Sequence, residues 1–180
     1  MRTIARSVGT ALIAATVLTA PAIAKEAETT PPATVDAIVA AVDACRAART
    51  HKRTDVGILG QRGFVRSPLN AAQAKRSQTP PKLFSRDGAM IMVPPDENGC
   101  TVMANLVASS DWMALNAKLN ATLGLAPFET RMGEAAWRTT AHYVRLDAAG
   151  SREKPGVRVI VAPNDPARNP ATATKAPEDK

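Results

Sequence analysis

Aromatic residues are scarce in this chain: three Phe, two Trp and one Tyr among 180 residues. That is poor material for the series of stacked side chains by which single-stranded nucleic acids are held. Histidine and cysteine occur twice each, and His51 and His142 stand 91 positions apart with no second ligand beside either. Metal centres need ligands clustered at set spacings, so no metal site is expected. Gly-x-Ser-x-Gly, the Walker phosphate loop and His-Glu-x-x-His are all missing. Their absence removes the sequence marks of a nucleophile elbow, a nucleotide cradle and a zinc protease. Gly57, Gly60 and Gly63 have the wrong spacing for a dinucleotide fingerprint, and no cofactor is expected. The run Asp96-Glu97-Asn98-Gly99 lacks the longer alternating series of a calcium loop and reads as a hairpin turn.

Long apolar runs are missing too, except at the start. Residues 1–24 read as a cleaved secretory signal: Arg2 and Arg6 precede an apolar stretch over 8–20, and Ala22-Ile23-Ala24 supplies the small-x-small cleavage pattern. The stretch holds Thr10, Thr16 and Thr19 and stops at Pro21, short of the roughly 20 apolar residues of a membrane-spanning helix. No membrane span is expected once the signal is removed. The expected product is an exported chain of 156 residues, in the periplasm or secreted, with its formal charge lowered from +7 to +5.

Export places Cys45 and Cys100 in an oxidising compartment, where a disulfide forms and persists. Cys45 falls on the apolar stripe of an expected helix and Cys100 opens an expected strand, so both face the core. A Cys45–Cys100 bridge closes a 55-residue loop, worth about 4 kcal/mol on the chain-entropy estimate. The pair lacks the Cys-x-x-Cys arrangement of a redox catalyst.

The remaining chain divides by composition. Residues 25–33 are a polar, Pro-bearing linker, and 163–180 carry four prolines and little apolar surface, the mark of a disordered tail. Residues 34–162 are expected to form a single α+β domain. Thr34 caps a helix whose stripe runs Val35, Ile38, Val42, Cys45 and which ends near Arg49. Residues 56–65, with three glycines, suggest a bent strand, and Ser67-Pro68 a short helix reaching about residue 77. A hairpin follows, 89–93 and 100–106 around a turn at 94–99. A second main helix starts after Ser110 with Trp112, Leu115, Leu119 and Leu123 on one stripe and stops at Gly124. Residues 138–146 and 157–161 alternate as two strands. The sum is an antiparallel sheet of about four or five strands with two main helices on one face.

The most unusual feature is charge. Residues 46–76 hold eight cations against Asp55 alone, a local balance of +7. Interleaved with glycines and Phe64, they suggest a surface that attracts anions, although Lys and Arg also serve simply as solvated edge residues that discourage aggregation. The expected function is a small exported binding or accessory protein without catalytic activity. Its contact surface is the 46–76 region, with Arg49, Lys52, Arg53, Arg62 and Arg66 supplying charge and Phe64 an apolar anchor. The partner expected is an anionic envelope component or another exported protein; in that compartment no nucleic acid is expected. Two alternatives stand beside it. One is a small hydrolase or transferase using His142, which shares a strand face with Val144 and Leu146, together with a carboxylate. The other is an inhibitor or chaperone-like partner that docks through a free sheet face. His51, amid Arg49, Lys52 and Arg53, reads as a solvated loop residue.

Overall fold

The computed structural model describes residues 30–50, 53–69 and 79–165. The expected signal, the start of the linker, and all but the first three residues of the expected tail lie outside the described residues. The fold class is α+β, as expected, but the single antiparallel sheet has eight strands rather than four or five. Helices are α1 (Val35–Ala48), α2 (Val56–Gln61) and α3 (Asp111–Leu123). Strands are β1 (Val65–Ser67), β2 (Lys82–Arg86), β3 (Ala89–Val93), β4 (Cys100–Asn105), β5 (Glu129–Arg131), β6 (Glu134–Arg138), β7 (His142–Gly150) and β8 (Pro155–Pro163). Their order across the sheet is β1-β2-β3-β4-β8-β7-β6-β5, so the chain builds one half, crosses by α3, and builds the other half inward from its edge segment.

Local chemistry sets the long helices as expected. The Thr34 hydroxyl accepts from the Ala37 amide at 3.2 Å, and Asp36 sits in the first turn where the dipole favours an acid. Ile38, Val42 and Cys45 are fully buried, and α1 ends where Arg49 turns extended. Helix α3 stops at Gly124, which takes the left-handed conformation (φ 69°). Both helices cover the sheet face formed by Ile91, Val102, Val159, Val144 and Trp137. The Trp137 indole N–H donates to Asn120 Oδ1 of α3 at 2.7 Å, so the largest core side chain has its one polar atom satisfied. The Cys45–Cys100 disulfide forms, with a Cα–Cα distance of 6.2 Å, and fastens α1 to β4.

Four expectations need correction. Residues 56–61 form helix α2, not a bent strand: Asp55 Oδ1 accepts from the Gly57 amide at 2.9 Å and caps it. Gly57 and Gly60 lie within the helix, and Gly63 (φ 81°) ends the segment. Ser67 closes strand β1 instead of capping a helix; the rest of that expected helix, from residue 70, lies outside the described residues. The segment 138–146 is not one strand, because a tight turn over 139–141 divides β6 from β7, tied by the Thr139 amide donating to the His142 carbonyl at 2.8 Å. The last strand runs on to Pro163, one residue into the expected tail. Strands β2, β5 and β6 add the remaining width. The β2–β3 turn uses Asp87 and Gly88, both left-handed (φ 50° and 79°), as a two-residue type I′ hairpin requires.

Candidate functional site

The helix-covered face of the sheet ends, on one side, where the last turn of α1 meets the β6–β7 turn and the tail of β8. A pocket of about 330 Å³ opens there, lined by Arg49, Thr50, Thr140, Ala141, His142, Pro163 and Asn164. Its walls follow from the elements just described. Arg49 is the C-cap of α1, and its Nη2 donates to Asn98 Oδ1 in the β3–β4 loop at 3.0 Å. His142 opens β7, with its amide held by Thr139 Oγ1 at 2.9 Å and its backbone paired to Pro163. Asn164 is fixed by Nδ2 donating to the Thr139 carbonyl at 2.9 Å and by its amide donating to the Ala141 carbonyl at 3.1 Å.

Residues lining this pocket leave both donors and one acceptor unpaired among the described residues, the acceptor being Asn164 Oδ1. Arg49 keeps Nε and Nη1 buried without a hydrogen-bond partner among the described residues, and Arg46, one turn earlier, does the same with Nε. Buried donors are nearly always paired in folded proteins, with protein groups or with ordered water, so these atoms call for an acceptor that the described residues do not supply. Arg46 is otherwise spoken for by Asp43, at 3.0 Å. Burial pushes the Arg49 guanidinium down from its ordinary value while Asp96 pulls it up, and it stays cationic. Burial first, then Arg46 and Arg49, holds the His142 imidazole below the ordinary histidine value. No carboxylate lines the pocket. It is therefore an environment that raises the energy of any added positive charge and lowers that of a negative one.

The candidate residues read from the sequence do not gather into one site. Only Arg49 reaches this pocket. Lys52 lies outside the described residues. Arg53 is exposed in the loop after α1, where its backbone exchanges hydrogen bonds with the Thr50 hydroxyl. Arg62 and Phe64 line a second, broader cavity of about 600 Å³ with Ala40, Asp43, Gln61, Gly63 and Arg86. There the Arg86 donors are engaged: Nη1 donates to the Arg62 carbonyl at 2.7 Å and Nε to Asp87 at 3.1 Å. Phe64 is 4% exposed and belongs to the core, so its ring anchors the domain rather than a partner. Arg66 projects from the edge strand β1.

Sequence reasoning missed Arg46, Thr50, Thr140 and Asn164 as members of a site. Arg46 and Arg49 stand at i and i+3, a spacing that places both on one helix face, which was legible. Asn164 was hidden in what read as tail. For His142, the hydrolase reading gains a pocket but no acid to orient the ring. Among the described residues no group of His, Cys, Asp and Glu is placed to hold a metal ion. No described helix is long and apolar enough to cross a membrane. Comparison with protein-family models, curated proteins and solved structures finds no match to this chain.

Proposed function

We propose that this chain is a small exported binding or accessory protein of the periplasm whose site is the Arg49–His142 pocket, where it holds the oxyanion group of an anionic envelope component. The observation that carries the reading is the pair of buried, unpartnered Arg49 donors beside a histidine in a pocket with no lining carboxylate. A phosphate or carboxylate oxygen seated there accepts from Arg49 and, once the ring is protonated, from His142. Thr50, Thr140 and Asn164 surround it with neutral polar groups. The disulfide and the N-terminal signal pattern support the exported location.

The reading narrows the contact surface from the whole of 46–76 to one end of α1. Inorganic phosphate is the simplest probe of the head group. Calorimetric titration of the mature chain is expected to show one saturable site per chain whose affinity falls with added salt. Arg49→Met is expected to weaken it by about tenfold or more, the worth of a hydrogen bond to a charged group. Equal phosphate binding by wild type and Arg49→Met would sink the proposal.

A further inference from the structure

The other face of the sheet carries a cluster that the anion pocket does not use. Strands β3 and β4 set Met90 opposite Met103 and Met92 opposite Thr101. Residues inward of them, Ala89, Ile91, Val93 and Val102, fill the core, so the three methionines share the outward face, where all are half-buried. Directly opposed residues of an antiparallel pair hold their Cβ atoms roughly 4.5–5.5 Å apart, and diagonal ones about 7–8 Å. Unbranched methionine side chains, with three rotatable bonds, are long enough to span such gaps. Of the other methionines, Met113 lies on α3 and Met132 in the β5–β6 turn, 73% and 102% exposed.

The surroundings favour a soft cation. Cys45 and Cys100 are consumed in the disulfide, so among the described residues thioethers are the sulfur donors left. Arg158, the cross-strand neighbour of Met103, is neutralised by Asp147 Oδ2 at 2.7 Å, and Asp147, 5% exposed, also holds Arg145 at 2.6 Å. Ser85 and Leu83, opposite Met90 and Met92, bring no charge. Thioether sulfur is a soft, neutral ligand that selects ions such as Cu(I) and has little affinity for magnesium, calcium or manganese.

We propose that Met90, Met92 and Met103 form a binding site for a soft monovalent metal ion of the Cu(I)/Ag(I) class on the helix-free face of the sheet. The strand pairing fixes the spacing of the three Cβ atoms, and half-burial limits competition from water. Binding is simple coordination with no change of oxidation state. It is independent of the Arg49–His142 pocket, which lies at the end of the opposite face.

Silver(I), free of redox chemistry, is the probe. The mature chain, labelled with ¹³C at the methionine ε-methyl groups, is titrated with silver nitrate in chloride-free buffer. The Met90, Met92 and Met103 methyl signals are expected to shift together and saturate at one equivalent, while Met113 and Met132 stay in place. Met103→Leu keeps the volume of the side chain, so folding is retained, and is expected to weaken silver binding by about tenfold or more. Five methyl signals that respond alike, no saturable shift, or an unchanged affinity in folded Met103→Leu would each overturn the proposal.

Discussion

The basic segment meets the body of the protein at two places, and their arginines differ in what their donors have left to do. At one, the Arg86 guanidinium donates to the Arg62 backbone carbonyl and to Asp87, and Asp43 shares the cavity. At Arg49 one nitrogen is fixed by Asn98, and two remain buried and unpartnered beside His142. What separates Arg86 from Arg49 is whether the fold has already supplied acceptors, and the proposed anion site rests on that difference.

The strongest way to break the comparison is to loosen the end that carries Arg49. Arg49 stands four residues beyond Cys45, whose bridge to Cys100 ties α1 to β4 across a 55-residue separation. Cys45→Ser with Cys100→Ser is expected to cost about 4 kcal/mol of unfolding free energy in a urea titration. Amide exchange in the variant is expected to rise more at Arg49 and Thr54 than at Phe64, because Thr54 is held by the loop before Cys100.

A second test exchanges the two places. Arg62→Met with Arg86→Met is expected to leave phosphate affinity within about twofold of wild type, since exposed charges lend only weak, screened attraction. A loss as large as that of Arg49→Met would erase the distinction. Arg49→Lys is expected to recover little, because an ammonium does not reproduce the planar array of guanidinium donors.

Much of this architecture was readable from spacing and caps. Thr34, the stripe through Cys45, Gly124 and the alternation of 100–104 and 157–161 each name an element that is there. The missed strands failed for identifiable reasons. Strand β2, with Lys82 and Arg86 at its ends, has too few alternating apolar residues to show a period, although Asp87-Gly88 beyond it is a strong hairpin signal. Strand β6 was overlooked because three consecutive buried residues, Ala135, Ala136 and Trp137, break the alternation. Glycines 57 and 60 hid α2, since their helix penalty of about 1 kcal/mol each is tolerated in a capped segment that buries Leu59. The pocket needs three segments far apart in the chain, so no local pattern shows it.

Two smaller effects sharpen the account. Asn120→Leu leaves the Trp137 indole N–H buried without its acceptor and is expected to cost about 1–3 kcal/mol in thermal or urea unfolding. Phosphate affinity should be unchanged, which separates loss of stability from loss of the site. The second effect is a pH dependence. Burial, Arg46 and Arg49 hold His142 below the ordinary histidine value, so the unfolded chain takes up this proton more readily than the folded one. Stability is therefore fully present above the ordinary histidine range and declines as pH falls from there toward the depressed value. His142→Asn is expected to remove that part of the acid sensitivity, as measured by urea midpoints between pH 8 and pH 5, a range taken to bracket ordinary histidine titration at about 6.5.

The most direct measurement follows the His142 ring itself by NMR while pH is varied, with and without saturating phosphate. An anion seated between Arg49 and His142 offsets the charges that hold the imidazole unprotonated, so the titration midpoint is expected to rise when phosphate is present. A midpoint that stays where it is, with phosphate bound elsewhere on the chain, would contradict the assignment of this pocket.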